Sequence, residues 1–269
     1  MNYRLQRLLT RPRAIFRSSS KLGVMATLRL VAIRFGSPDK IYKVRVPQWP
    51  HPVYVRGGKS TDSTVLYEML VTGEYDFASG LNAPETMVDG GANIGLAAVY
   101  FLNRYPSVRT ISVEPFAESV DLCRKNLAPY KERATVIQGA IWRDEDGVCL
   151  DPQNEEWAHR VRPAAAGETG LTQTLTVKSL IGLCGGSLDL LKLDIEGSER
   201  EIFGPDSMQW LPDVRNILIE LHGKDCAERF FSALAHYDYE MTNCDSVYFL
   251  RNVRQKKAHA VASAAVFAR

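Results

Sequence analysis

Apolar and polar positions along this chain follow two periods that take turns. Apolar runs suited to buried strands end at Val88 and at Val113 (residues 110–113), fill residues 134–141, and recur from Leu188 to Ile195 and in residues 216–221. Between them, residues 63–72, 96–105 and 117–127 repeat apolar side chains at helical spacing. Thr61 or Asp62 suits the cap of the first helix. Alternating strands and helices predict an α/β fold, a doubly wound and mostly parallel sheet with helices on both faces. Residues 47–58 are turn-rich, residues 237–251 read as a closing antiparallel hairpin, and the alanine-rich stretch after Arg254 reads as a loosely ordered tail. The chain thus divides into an N-terminal extension at 1–46, a main domain at 47–252 and a tail at 253–269.

Inside the main domain, residues 143–175 lose helical period and turn polar, punctuated by Gly147, Pro152, Pro163, Gly167 and Gly170. A loop of this kind over the carboxyl edge of the sheet would act as a lid over an acceptor. Trp157, His159 and Arg160 are its candidates for gripping one, since a flat aromatic stacks on a sugar ring.

In the extension, Leu5, Leu8, Leu9, Ile15 and Phe16, then Leu22, Met25, Leu28 and Val31, recur at partly helical spacing. Residues 1–45 carry eleven Lys or Arg against the single acid Asp39, whereas residues 46–269 hold 22 bases and 30 acids, a net of −8. The whole-chain charge of +2 therefore hides a basic helical front and an acidic body. Such a segment suits either peripheral contact with an anionic membrane or packing on the core or a second copy (homodimerisation) with its arginines solvated. No nucleic-acid partner is expected. The longest weakly polar run, residues 22–35, is broken by Arg29 and Arg34 and is shorter than the about twenty residues of a membrane span. No secretory core with a cleavage site stands out, and a mitochondrial transit peptide is the lesser reading of the acid-poor start. The expected location is the cytoplasm, at a membrane surface if the extension docks there. With 269 residues, 45% of them hydrophobic, the chain can bury one substantial core. Its five irregularly spaced cysteines read as reduced thiols.

The chemistry gathers at predicted strand ends, where open α/β sheets bind ligands. Asp89-Gly90-Gly91-Ala92-Asn93-Ile94-Gly95 joins a strand to a helix. Gly91 and Gly95 permit backbone angles and close approaches that a Cβ forbids, and the helix N-terminus offers unpaired N–H groups to an anion. About twenty residues on, Glu114 closes a strand at the position where a carboxylate accepts the ribose hydroxyls of an adenosine. Small Gly139 and Ala140 suit the adenine edge. Asp194 and Glu196 alternate onto one face of a strand end, and Glu220 and His222 onto another. This set also fits a dinucleotide oxidoreductase, or a non-catalytic membrane- or partner-binding module that keeps the cofactor fold.

In order along the chain, residues 88–95, Val113-Glu114-Pro115, Leu191-Lys192-Leu193-Asp194-Ile195-Glu196-Gly197-Ser198-Glu199 and Ile219-Glu220-Leu221-His222 resemble the FkbM family of S-adenosylmethionine-dependent methyltransferases. Upstream, Arg56, Ser60-Thr61-Asp62 and Gly73-Glu74-Tyr75-Asp76 resemble its lead-in, so the likeness spans roughly residues 50–252. It implies a Rossmann-like, seven-stranded fold, S-adenosylmethionine as cofactor, and methylation of a hydroxyl of a saccharide or other polyhydroxylated metabolite. It implies a cofactor set of Tyr75, Asp89, Gly91, Asn93, Gly95, Glu114, Pro115, Gly139, Ala140 and Asp194, with Asp89 near the methionine part. His222 is the natural general base, with Asp194 or Glu196 as rivals, and Glu220 or Asp194 would orient its ring or hold the acceptor. The acids and His222 could ligate Mg²⁺ or Mn²⁺, but methyl transfer needs no metal and none is expected. One departure lies in residues 176–181, where related sequences usually place an acid after the leucine and this chain has Ile181.

Overall fold

The computed structural model describes residue 20 and residues 22–58, 60–73, 75–76, 80–151 and 160–256. Helix α1 (Val24–Arg34) buries Thr27, Leu30 and Ile33, one per turn, and leads into an antiparallel pair, β1 (Ile41–Val44) and β2 (Val53–Arg56). The predicted boundary at 46/47 therefore falls between two paired strands, and the turn-rich segment 47–58 also supplies β2. Helix α2 (Asp62–Tyr67) continues into a wide turn, Glu68–Thr72, closed by the Gly73 N–H on the Glu68 carbonyl.

The sheet then begins with β3 (Thr86–Gly90), followed by α3 (Leu96–Arg104), β4 (Arg109–Glu114), α4 (Ala117–Leu127) and β5 (Ala134–Gln138). The strand predicted over 134–141 is broken at Gly139. There a Cβ would come within 2.8 Å of Leu175 and 3.0 Å of the Gln173 carbonyl. The chain leaves the sheet as β6 (Ala140–Ile141), passes through the antiparallel pair β7 (Val148–Asp151) and β8 (Arg160–Pro163), and returns as β9 (Thr174–Leu175) beside β6. Helix α5 (Val177–Leu183) is capped by the Thr176 hydroxyl, which accepts the Ser179 N–H at 3.0 Å. Then come β10 (Leu190–Leu193), the short helix α6 (Glu199–Ile202), β11 (Ile217–Glu220), α7 (Lys224–Ala233), and the hairpin β12 (Tyr237–Cys244) and β13 (Val247–Gln255). The hairpin continues past residue 252, where the tail was expected to begin.

Seven strands order as β12-β13-β11-β10-β3-β4-β5, parallel from β11 to β5 and antiparallel at the hairpin. This is the doubly wound, mostly parallel sheet that the periodicity predicts and the seven-stranded, Rossmann-like fold that the resemblance implies. The period-two rule shows in the core: Met87, Leu190, Leu218 and Phe249 face one apolar layer, while Val88, Leu191, Ile219 and Leu250 face the other. The candidate site residues Asp89, Glu114, Asp194 and Glu220 stand at the carboxyl ends of β3, β4, β10 and β11. Among the described residues no helix is long and apolar enough to cross a membrane.

Candidate active site

The loop after β3 takes left-handed backbone at Gly91 (φ +69°), Asn93 (φ +47°) and Gly95 (φ +80°). That region penalises a Cβ, and glycine and asparagine are the residues that tolerate it. At Gly91 a Cβ would run into the Asp194 carbonyl, so β3 and β10 approach this closely only over bare backbone. The Gly91 and Ala92 amides donate to the Val113 carbonyl at 3.0 and 3.1 Å, tying the loop to β4.

Asn93 is braced from three sides. Its N–H donates to Glu114 Oε2 at 2.8 Å, and its side-chain oxygen accepts from the Arg56 guanidinium at 2.7 Å and the Ser119 hydroxyl at 3.2 Å. Arg56 is in turn clamped by Asp62, through Nε to Oδ2 at 3.0 Å and Nη2 to Oδ1 at 2.8 Å. Glu114 also accepts the Phe116 N–H at 3.1 Å. Burial pushes its carboxyl group up to about 7, although the two amides, Lys192 and Arg56 pull the other way.

An open cleft lies over these residues. One wall is Gly91, Asn93, Glu114, Pro115, Gly139 and Ala140, and the other runs from Asp194 through Glu196 to Ser198. Seven of the predicted cofactor residues thus share one cleft. The other three do not line it. Gly95 starts α3 against Cys123, and Tyr75 packs with Tyr100 and Phe101 in the core. Asp89 is fully buried below the loop, 3.0 Å from Lys192 Nζ, with the Ala98 N–H in the first turn of α3 also supporting its charge. The anion at this helix start is the protein's own carboxylate. Lys192 also donates to the Gly91 carbonyl at 3.1 Å. Burial lowers its pKa, but the carboxylates of Asp89, Asp194 and Glu220 outweigh that and hold it above the ordinary lysine value.

Next to the Asp194–Glu196 wall of the cleft, His222 follows β11. Its Nδ1 lies 2.9 Å from Glu199 Oε1, and its Nε2 lies 3.5 Å from Glu196 Oε2 and 3.7 Å from Asp194 Oδ1. Glu199 is fully buried and also accepts the Ile195 N–H at 3.2 Å. Burial lowers the His222 pKa, yet the bond and charge of Glu199, with Asp194 and Glu196, raise it to about 9. A value raised this far favours the protonated ring at neutral pH. Burial lifts Glu196 to about 7, with the charges of Asp194, Glu220 and Glu199 adding and His222 opposing. Asp194 and Glu196 do not alternate along a strand as expected: β10 stops at Leu193, and a left-handed turn at Glu196 (φ +53°) aims both at His222. Glu220 accepts the Ser246 hydroxyl at 3.0 Å. Ligand atoms of Asp194, Glu220 and His222 lie within 4.8 Å of one another, so the three could hold a small divalent ion. Of the acceptor candidates, Trp157 and His159 lie outside the described residues. Arg160 is exposed at the start of β8, and its neighbour Val161 is the residue that lines the cleft.

A family model described as the Methyltransferase FkbM domain matches residues 89–248. This chain belongs to the FkbM methyltransferase family. No curated protein matches it in sequence. Among solved structures it is similar to M. capricolum TrmK bound to S-adenosyl-homocysteine, at 12% identity over 71% of this chain and 72% of that one (TM-score 0.39). It is also similar to the S-adenosyl-homocysteine-bound Podospora anserina methyltransferase PaMTH1, at 11% identity over 74% and 81% (TM-score 0.41).

Four residues that brace the site of this FkbM methyltransferase, Lys192, Glu199, Arg56 and Asp62, were not singled out as site residues from sequence. Lys192 carried a signal, a lone lysine in the apolar run Leu190-Leu191-Lys192-Leu193, all of it buried. Glu199 stood in the quoted motif without a role, and Arg56 with Asp62 stood in the lead-in. Ile181, the departure noted in residues 176–181, is buried in an apolar layer against the sheet.

Proposed function

We propose that this protein binds S-adenosylmethionine in the cleft and transfers its methyl group to a hydroxyl of a saccharide or other polyhydroxylated metabolite. The observation that supports this most is that one cleft has a buried carboxylate beside small residues on one wall and, on the other, two carboxylates that stand next to His222. Glu114 has about four acceptor positions and uses two on amides, so a ribose diol can take the others. Gly139 and Ala140 leave room for a flat base, and the carboxylates of Asp194 and Glu196 favour a positive charge between them and the glycine loop. The cofactor supplies an electrophilic methyl group on a positively charged sulfur. Glu199 fixes the His222 ring through Nδ1, which leaves Nε2 facing Asp194 and Glu196, where it can take the proton of an acceptor hydroxyl once it has lost its own. Holding acceptor and methyl group in line can be worth about 7–11 kcal/mol.

Family membership favours this reading over a dinucleotide oxidoreductase. Titration calorimetry with S-adenosylmethionine, S-adenosyl-homocysteine and NAD, followed by mass spectrometry of candidate glycans and polyols for one added methyl group, tests it. Tight binding of NAD with no affinity for the methionine cofactor would overturn it.

A further inference from the structure

Helix α1 has two unlike faces. Thr27, Leu30 and Ile33 are packed inward, whereas Val24 (60% exposed), Met25 (79%), Leu28 (55%) and, at the helix end, Phe35 (73%) form an outward row at helical spacing. Isolated exposed apolar residues are ordinary, but three large ones on one face of an eleven-residue helix, with Phe35 just beyond its end, are a surface in want of a cover. The polar residue in this row is Arg29, and the exposed bases Lys40, Lys43 and Arg45 follow on the next turn and strand. Just before the helix in sequence, residues 1–19 carry five arginines and no acid, together with Leu5, Leu8, Leu9, Ile15 and Phe16.

We infer that the outer face of α1 docks on an anionic lipid bilayer. The apolar row would sit at the acyl boundary while Arg29 and the flanking lysines reach headgroup phosphates, the arrangement of an interfacial helix. Charge decides between this occupant and a second copy of the chain. A two-fold contact would set Arg29 and its basic surroundings against the same residues of the twin, with Asp39 the one acid in residues 1–45 to offset them. Anionic headgroups instead attract every one of those bases. This inference does not depend on the cofactor or the acceptor.

The test is vesicle sedimentation of the full chain, with phosphatidylcholine alone and with roughly one lipid in three replaced by phosphatidylglycerol. The chain should pellet with the mixed vesicles, stay in solution with the neutral ones, and be released by high salt. The variant Met25→Glu/Leu28→Glu/Phe35→Glu should lose roughly tenfold or more in partitioning while keeping its melting temperature, because all three side chains are exposed. Failure of the parent to bind anionic vesicles overturns the inference, as does undiminished binding by the triple variant. A parent that is a dimer in analytical ultracentrifugation, made monomeric by the same changes without vesicle binding, assigns the face to a second copy instead.

Discussion

Lys192 Nζ lies 3.0 Å from Asp89 Oδ1, and both side chains are almost wholly buried beneath the glycine loop. The pair joins the ends of neighbouring strands, β10 and β3, and the lysine also holds the Gly91 carbonyl. Taking away one member leaves the other charge uncompensated in the interior. Lys192→Met should lower unfolding free energy by about 3–5 kcal/mol in urea titrations. The double variant Asp89→Asn/Lys192→Met should recover much of that loss, and equal losses in the single and double variants would show that the pair is not the cause.

Glu114 should make cofactor affinity depend on pH. Its carboxyl group titrates near 7 when the cleft is free of ligand, and hydroxyl donors bind the ionised form. Affinity should therefore be full above about pH 7 and fall as pH drops below it. Glu114→Gln should weaken S-adenosylmethionine by about 1.5–3 kcal/mol, roughly 10- to 150-fold, and flatten the pH dependence. Calorimetry at several pH values reads both effects.

His222 should set the alkaline course of turnover. With a pKa raised to about 9, the ring is protonated below that value and becomes a base above it, so kcat should climb through pH 8 and 9. His222→Ala should cut kcat by about 10²–10⁴-fold and leave cofactor binding unchanged. A rise with an inflection near 7 that disappears in Glu196→Gln would give the proton-accepting role to Glu196.

Glu199 is a positioning residue for that ring. Glu199→Gln keeps the shape but removes the charge next to Nδ1, so the His222 pKa should fall, visible as an acid-ward shift of its imidazole resonances by NMR and of the pH–rate curve. Loss of stability with an unmoved curve would mean that Glu199 serves packing alone.

Gly91 should accept no side chain. Gly91→Ala adds left-handed strain of about 1–3 kcal/mol and a collision with the Asp194 backbone. Both the melting temperature and the affinity for S-adenosylmethionine should drop, whereas the control Gly185→Ala, with φ +89° but open space around it, should show the strain and keep affinity.

Much of this was legible in the residues because it was encoded locally. Met87 and Val88 point to opposite layers, as strand alternation requires, and a carboxylate at the end of a buried strand, Glu114, has few places to go but the cleft. What escaped depended on pairings across long stretches of chain. Nothing near Asp89 says that a lysine 103 residues on will pair with it. The surroundings of His222 were hidden for the same reason: Asp194, Glu196 and Glu199 come from a distant stretch of chain, and only the fold brings them there. Tyr75 came from likeness to the family alone, and packing placed it among Tyr100 and Phe101.

Arg56 reaches Asn93 from a strand that precedes the family match by more than thirty residues. A fragment cut to residues 89–248 would lack β2, Arg56 and Asp62 and so leave the Asn93 side chain without its clamp. Anyone trimming this protein to a minimal working unit should begin upstream of β1, because the floor of the cleft is finished by a hairpin that a match-guided cut discards.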